Sequence, residues 1–210
     1  MQRRDPPTSA VGQPPDSTSR SGAANSRSVE ARPFKKFVQK SVANHLNDLG
    51  KDDPAWLLKT MKAWRKADDP TTNWIIRHAL RSLIKQGDAA ALSILGYGPA
   101  RLKDVQLRVT PGKAAIGDKV TAHLQLSPSG KRAQNLLIDW VMHYARPSGR
   151  ASSKVFKGKE VVLPASETFE WDKSFSMQPR SIRTLHAGQH RLEVQINGKV
   201  VAEASFELHD

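Results

Sequence analysis

The 210-residue sequence predicts a multidomain protein, in which a short α-solenoid fragment is followed by an antiparallel β-sandwich. Two observations predict this fold class. Over residues 34–100, apolar side chains recur every three to four positions, as in amphipathic helices. Over residues 103–210 they recur every second position between turn-forming residues, as in half-buried strands.

Residues 1–33 form a leader rich in Pro, Ser and Arg, with almost no large apolar side chains. Such a segment buries too little surface to offset its loss of chain entropy on folding. We therefore expect the leader to be disordered.

The first predicted helix carries an apolar stripe of Val38, Val42, Leu46 and Leu49. Gly50 is predicted to end this helix. The pair Asp53-Pro54 is predicted to begin the next helix with an N-cap and a first-turn proline. Together these elements predict an antiparallel helical hairpin.

A second hairpin is predicted after Asp69-Pro70, with Thr71 or Thr72 as the N-cap of one uninterrupted third helix. Asp88 is predicted to cap a short fourth helix. The prediction for residues 34–100 is therefore four helices in two hairpins.

The two hairpins repeat each other. A shift of 37 residues places Val38 on Ile75, Val42 on Ala79 and Leu46 on Leu83. A two-helix unit with a period near 40 is typical of HEAT-like repeats. Because two units leave a hydrophobic end uncovered, we expect a partner or further repeats to cover Phe37 and its neighbours.

The C-terminal part is predicted to hold about seven strands without intervening helices, which favours an immunoglobulin-like sandwich. Asn197-Gly198 is a strong signal for a two-residue hairpin. The sequence contains no cysteine, so packing must hold the core together. The large core residues are predicted to be Trp140, Phe156, Trp171, Phe175 and Phe206.

The charge balance favours a polyanionic partner, most simply nucleic acid. The chain has 33 Lys or Arg and 20 Asp or Glu, a formal net charge of +13. Most of the excess lies in the two predicted folded parts.

The lack of cysteine excludes disulfides, thiolate metal sites and a cysteine nucleophile. The sequence shows no signal peptide and no run of apolar residues of membrane-spanning length, so we expect a cytoplasmic protein without membrane contact.

Long motifs in both parts resemble one known family. The stretches FVQKSVANHLNDLGKDDP (37–54) and NWIIRHALRSLIKQG (73–87) are similar to signatures of AlkC-type DNA alkylation repair proteins. The later segments KVFK (154–157), GQHRLE (188–193) and Asn197-Gly198 resemble the Ig-like domain of that family. The resemblance covers residues 37–208, roughly.

The resemblance implies a monofunctional DNA glycosylase. Its partner would be double-stranded DNA carrying cationic N-alkylated bases such as 3-methyladenine. It would act as a monomer and need neither a metal nor an organic cofactor. Asp48 would be the catalytic carboxylate that stabilises the developing charge on the sugar. Lys40 and Asn44 share its helix face. Spacing alone favours a structural role for Asp48, as a cap or in neutralising nearby Lys51, and only the family motif shifts the interpretation toward catalysis.

The third helix offers a second polar row. Arg77, Arg81 and Lys85 are spaced so that their charges follow one face, and the 37-residue shift superposes this row on Lys40, Asn44 and Asp48. By resemblance, the two rows would line the concave wall of a solenoid and hold DNA phosphates. An ordinary solvated helix face is the alternative. His45 and His78 are interpreted as packed or surface residues, and the role of Trp74 is left open.

In the sandwich, Lys154 and Lys157 form one basic cluster and Arg180 and Arg183 a second. By resemblance these residues would clasp the DNA backbone. An edge strand protected by lysine is an equally good interpretation.

The leader departs from the family, which has further repeats before the motif at Phe37. We hypothesise that residues 1–36 are an out-of-frame translation of such repeats, in which case the chain would be a truncated and inactive glycosylase. Two other function classes stay open: a DNA-binding module without chemistry, and a protein-interaction adaptor built on HEAT and Ig-like units.

Overall fold

The computed structural model describes residues 27–147, 152–179 and 184–210, with side chains from residue 35 onward. The chain divides into two compact units, residues 1–39 and 40–210, and the first contributes only helical residues to the described part. The helices are α1 (Arg27–Asp52), α2 (Pro54–Trp64), α3 (Pro70–Ala79), α4 (Arg81–Lys85) and α5 (Ala89–Ile94), with a 3-10 turn at Arg65–Ala67. The strands are β1 (Leu102–Thr110), β2 (Lys113–Ala115), β3 (Lys119–Pro128), β4 (Gln134–Tyr144), β5 (Ser152–Leu163), β6 (Phe169–Ser176), β7 (Gly188–Ile196) and β8 (Lys199–His209).

Helix α1 begins at Arg27, inside the segment for which disorder is predicted up to residue 33. Residues 30–32 (Glu-Ala-Arg) are good helix formers, which favours extension of the helix into this segment. The rest of the predicted leader, residues 1–26, lies outside the described residues. Of the helices in the described part of the chain, none combines the length and the apolar composition that crossing a membrane requires.

Three helix starts are capped by aspartate side chains. Asp53 accepts a hydrogen bond from the Trp56 amide at 2.9 Å, and Asp88 accepts one from the Ala91 amide at 2.7 Å, which confirms both predicted caps. The prediction of a threonine cap for the third helix was wrong, because Asp69 accepts from the amides of both candidate threonines at 3.0 Å. Both free amides donate to the same oxygen, Oδ1 of Asp69, so the residue before the proline acts as the cap.

Gly50 does not end the first helix, which continues to Asp52. The prediction was wrong because the glycine has a packing role. A β-carbon at this position would overlap the side chain of Leu57 in α2. The missing side chain therefore lets α1 and α2 approach closely, and Leu57 is almost fully buried between them.

The predicted third helix is interrupted at Leu80, which separates α3 from α4. The amide of Asn47 in α1 donates to the Ala79 carbonyl at 2.7 Å and to the Ser82 hydroxyl at 3.0 Å. Asn47 is buried, and it gives a helix-end carbonyl the partner that a continuous helix would otherwise supply. This tertiary contact accompanies the break and holds α1 against α3 and α4.

The helical core is formed by positions that the repeat predicts, but its first hairpin keeps an open apolar side. Leu46 and its repeat equivalent Leu83 are both buried. Val38, Val42 and Leu49 are 43%, 36% and 39% exposed.

The strands form two facing sheets, as predicted for an Ig-like sandwich. A three-stranded sheet has the order β1-β3-β6, and a five-stranded sheet has the order β2-β8-β7-β4-β5. The pairings are antiparallel except for short β2, which runs parallel to β8. The two inner faces supply one shared core.

Aliphatic residues make up most of that core, and the five aromatic residues predicted for it divide into two groups. Trp140, Phe175 and Phe206 are buried. Phe156 and Trp171 are only partly buried and pack against the core from its rim. Trp140 meets Trp171 at a centroid distance of 5.4 Å and Phe175 at 5.9 Å in tilted and edge geometries.

The helices join the sandwich through a small second cluster of Leu92, Tyr97 and Leu137. Beside it, the backbone of Gly87 lies against the backbone of Gly198 in the β7–β8 turn. A β-carbon on Gly198 would meet the Gly87 α-carbon at 2.7 Å. Because neither residue carries a side chain, the end of α4 rests directly on the hairpin that the sequence predicts.

Candidate nucleic-acid interface

A cleft of about 420 Å³ opens between α3–α4 and the outer face of β4–β5. Both walls belong to the compact unit of residues 40–210. Four of its lining side chains are cationic and one is a carboxylate. The lining residues are Trp74, Arg77, His78, Arg81, Ile84 and Lys85 from the helices, and Leu137, Asp139, Val155 and Lys157 from the strands.

The helical wall carries the predicted cationic row of Arg77, Arg81 and Lys85. All three residues line the cleft even though the helix breaks between the first and the second of them. The Arg81 guanidinium donates to the His78 carbonyl at 2.8 Å, near the end of α3. This bond satisfies a helix-end carbonyl and orients the arginine. The backbone at Leu80 stays in the right-handed helical region, so the row remains on one side of the helical segment despite the break.

The strand wall contributes Lys157, which lies directly before a β-bulge. In the β4–β5 ladder Ile138 pairs with Lys159, whereas the next residue, Asp139, pairs with Lys157. Gly158 is the extra residue, and its amide donates to the Asp139 carboxylate at 3.0 Å. A β-carbon on Gly158 would overlap the Ile138 carbonyl. Lys157 lies on the same face as its partner Asp139, and the bulge shifts the alternation so that Glu160 pairs with Leu137.

Lys154 lies on the other face of β5. It pairs with Met142, whose side chain is fully buried in the sandwich core, and its ammonium lies 5.0 Å from the centre of the Phe156 ring. This inward-pointing lysine on an edge strand fits the predicted protective role. Of the two lysines predicted together as DNA ligands, the structure brings only Lys157 into the cleft.

Helix α1 meets the helical wall through the predicted polar row. Asn44 hydrogen-bonds to His78, with 3.2 Å between Oδ1 and Nε2. Lys40 is exposed, and its charge contributes to lowering the pKa of His78. The two predicted rows therefore lie side by side, although His78 rather than Arg77 makes the contact.

Asp48 is exposed and forms an ion pair with Lys51, with 2.7 Å between the carboxylate oxygen and the ammonium. The hydrogen bond and the charge of Lys51 lower the pKa of Asp48, and the charges of Arg81 and His45 act in the same direction. Asp48 is therefore a carboxylate at neutral pH. Both sequence-based interpretations of this residue keep support, because it pairs with Lys51 and also lies near the cleft arginine.

Trp74 and His78 form an aromatic pair that the sequence interpretation did not place in the site. Their rings stack with 4.8 Å between centroids and 10° between planes. Burial lowers the pKa of His78, and the charges of Arg81 and Lys40 lower it further. The imidazole is thus neutral at pH 7 and presents a flat polar surface beside the cations. The spacing of Trp74 and His78, four residues apart on the helix that carries Arg77, could have predicted this pair from the sequence.

Sequence reasoning missed two carboxylates, Asp139 in the strand wall and Glu160 further along the same pair of strands. Burial raises the pKa of Asp139, and the Gly158 amide and Lys157 offset part of that rise. Glu160 accepts from the Arg77 guanidinium and, at 2.6 Å, from the Tyr97 hydroxyl. A lone acid within the apolar strand 136–144 was the available signal for Asp139. Glu160 carried no comparable signal.

Two further predicted ligands, Arg180 and Arg183, lie outside the described residues. Within the described ranges, no three His, Cys, Asp or Glu side chains come together as a metal site would require.

Comparison with known proteins identifies relatives of both parts of the chain. Residues 103–210 match the family model described as the C-terminal Ig-like domain of the uncharacterised protein YhaZ. The chain is 34% identical over 175 residues to the uncharacterized protein YhaZ of Bacillus subtilis (strain 168), covering 82% of the chain and 48% of that protein.

Among solved structures, the chain is similar to the Pseudomonas fluorescens alkylpurine DNA glycosylase AlkC bound to DNA containing an abasic site analog. The TM-score is 0.75 at 36% identity, covering 83% of this chain and 48% of that one. The chain thus spans about half the length of the relatives that it matches. The matched Ig-like domain, the helical repeat beside it and the motifs in both parts show that this chain belongs to the AlkC-type family that includes YhaZ.

Proposed function

We propose that this chain acts in DNA alkylation repair and that the cleft between α3–α4 and β4–β5 binds the DNA backbone. One observation carries the proposal: cations from two separate parts of the fold, Arg81 and Lys85 on the helices and Lys157 on the strand, line one groove. Guanidinium and ammonium groups on facing walls can hold successive phosphates of a duplex. The 36% identity to a DNA-bound glycosylase supports the same partner.

The proposed chemistry is release of a cationic N-alkylated base such as 3-methyladenine. The glycosidic bond breaks with its electron pair going to the base, which leaves as a neutral molecule, and positive charge develops on the sugar. A nearby carboxylate stabilises that charge, and water then adds to the sugar carbon. In this proposal Asp48 is the carboxylate, because it is ionised and lies beside the cationic wall. No metal or organic cofactor takes part, and we place the reaction on a cytoplasmic monomer.

The binding part of the proposal can be tested with a matched pair of lysines. Lys157 and Lys154 lie three residues apart on β5, are both exposed, and lie on opposite faces of the strand. Duplex affinity would be measured by fluorescence anisotropy between about 50 and 200 mM salt, where each phosphate contact contributes about 0.9 to the log–log salt slope. We expect Lys157→Gln to weaken binding and to flatten the slope by about 0.9, and Lys154→Gln to leave the slope unchanged.

Equal effects of the two variants would contradict the cleft as the binding surface, because both remove one positive charge from the same strand. The total charge of the chain is then the cause of any binding that remains. The Arg81→Gln variant extends the test to the helical wall, where the same reduction in slope is expected.

The catalytic part can be tested by release of 3-methyladenine from methylated duplex DNA. Asp48→Asn is expected to slow release about 10²-fold, in the range measured for loss of one electrostatic group, while DNA binding is kept. Unchanged release by this variant would contradict the assignment of Asp48.

A second candidate function is DNA binding without chemistry. The hydrogen-bonded pair of Asp48 and Lys51 favours it, because Lys51 partly neutralises the charge that the sugar would need. Cleft-dependent DNA binding by the wild-type chain without any base release is the result that would select this function.

A further inference from the structure

Glu160 on β5 reaches across the joint and binds two groups of the helical part. One carboxylate oxygen accepts from the Arg77 guanidinium on α3, and the other accepts from the Tyr97 hydroxyl at 2.6 Å. Glu160 pairs with Leu137 in the β4–β5 ladder, and Leu137 lines the cleft. The carboxylate therefore stands at the edge of the cationic groove.

The two partners of Glu160 differ in burial. Tyr97 is buried in the joint between the helices and the sandwich, so its hydroxyl holds one oxygen of Glu160 in place. Arg77 reaches the cleft with a side chain that is 37% exposed. Its guanidinium can turn towards the groove while Glu160 keeps the hydrogen bond to Tyr97.

Arg77 is also the cleft cation that is already neutralised. Within the described part of the chain, Arg81, Lys85 and Lys157 form no ion pair within 4.0 Å. A carboxylate and a phosphate present similar oxygen pairs to a guanidinium, which binds either of them with two parallel N–H donors. Glu160 thus occupies on Arg77 the place that a backbone phosphate would take.

We propose that Glu160 is an internal competitor of DNA phosphate for Arg77, and that DNA entering the cleft displaces it. The inference rests on the proposed function of the cleft. The phosphate that Arg77 binds would release its condensed cation, but the displaced Glu160 carboxylate would attract a cation in turn. The net release of counterions is therefore small, and this contact adds little to indiscriminate affinity for polyanions. The other three cations supply that affinity. Arg77 instead favours DNA whose phosphate is placed well enough to replace a fixed carboxylate.

A purely structural role for Glu160 makes a different prediction. If Glu160 only staples the helices to the sandwich, its loss loosens the cleft and weakens DNA binding. If it competes with phosphate, its loss frees a guanidinium and tightens binding.

The test is Glu160→Gln in the full chain, with Glu207→Gln as the matched control. Glu207 is likewise an exposed, ion-paired glutamate, held to Lys113 at 3.0 Å near the opposite edge of the five-stranded sheet. Both variants raise the net charge by the same amount. The Glu160→Gln substitution keeps the size of the side chain and an acceptor for Tyr97, and a thermal melt checks that each variant is folded.

Anisotropy with a duplex oligonucleotide is expected to show several-fold tighter binding by Glu160→Gln at low salt, with a salt slope steeper by about 0.9. Glu207→Gln is expected to keep the wild-type slope. Adding Arg77→Gln to Glu160→Gln should abolish the gain. The proposal is overturned if Glu160→Gln is folded but binds the duplex no more tightly than Glu207→Gln does.

A second comparison decides the matter if Glu160→Gln does not fold. Arg77→Gln leaves an unneutralised carboxylate beside the DNA, so it should weaken binding more than Arg81→Gln does. Equal losses in these two variants would overturn the proposal. Arg81→Gln also distinguishes failure of this inference from failure of the proposed function. If Arg81→Gln does not weaken DNA binding, the proposed function is wrong. If it weakens binding but Glu160→Gln does not tighten it, only this inference is wrong.

Discussion

Replacement of Asn197 tests how the sandwich holds the helices in place. This residue begins the two-residue turn between β7 and β8, is buried, and has a positive φ of 48°. Its amide nitrogen donates to the Gly98 carbonyl at 2.6 Å and to the Asn135 carbonyl at 3.1 Å. Its amide oxygen accepts from the Leu137 amide at 2.7 Å. One side chain therefore joins the turn, strand β4 and the segment that leads from the helices.

The size of the effect follows from these contacts. Each buried hydrogen bond contributes about 1 kcal/mol, so the loss of three costs about 3 kcal/mol. Alanine adds a further cost of about 1 kcal/mol because, unlike asparagine or glycine, it adopts the left-handed region poorly. We expect Asn197→Ala to lower the free energy of unfolding by about 4 kcal/mol and Asn197→Gly by about 3 kcal/mol.

Urea denaturation followed by tryptophan fluorescence measures both values, since Trp140 lies in the sandwich core. Lys199→Ala, at the exposed position two residues further on, is the control and should change stability by less than about 0.5 kcal/mol. A loss below about 1 kcal/mol for Asn197→Ala at unchanged m-value would refute the reasoning, because the three bonds would then contribute almost nothing.

Three further changes test other parts of the fold. Burial lowers the pKa of His190 below the usual value of 6.5. The contribution of the neutral imidazole to stability should therefore be complete above pH 6.5 and be lost as the pH falls through the folded-state pKa. Thermal melts at a series of pH values should show this dependence in the wild type and not in His190→Phe. Gly158→Ala should cost about 1–3 kcal/mol in urea unfolding, because its β-carbon would overlap the Ile138 carbonyl, and equal stability would disprove the tight bulge. Asp88→Ala should lower the free energy of unfolding by about 1 kcal/mol, because the hydrogen bond from the Ala91 amide is lost. Asp88→Asn keeps an acceptor for that amide and should retain most of the stability, as measured by calorimetry.

Features that depend on a few neighbouring residues could be predicted from the sequence. Asp53-Pro54 and Asp88 begin helices as expected, because an N-cap needs only its own carboxylate and the next free amides. Asn197-Gly198 forms the expected hairpin because both residues have the positive φ that this turn requires. The predicted cap at Thr71 or Thr72 was wrong, because Asp69, two residues before Thr71, accepts from the amides of both threonines.

Features that depend on a second chain segment were harder to predict. Glycine is common at helix ends, yet Gly50 instead provides room for the side chain of Leu57 in the next helix. The break at Leu80 likewise accompanies a hydrogen bond from Asn47, which is 32 residues from its acceptor in the sequence. No local pattern contains these partners, so spacing alone predicted one uninterrupted helix.

The candidate site divides in the same way. By itself, the sequence determined the family, the two fold types and the cationic row of Arg77, Arg81 and Lys85, because helical periodicity and long motifs are local properties. Only the tertiary structure decided that Lys157 and not Lys154 joins that row. Side chains alternate along a strand, so residues three positions apart point to opposite faces. The register with β4, in which Lys157 pairs with Asp139 and Lys154 with Met142, sets which of the two meets the helices. The tertiary structure also decided that Glu160 neutralises Arg77, since the two residues are 83 positions apart and meet only when the sandwich packs against the helices.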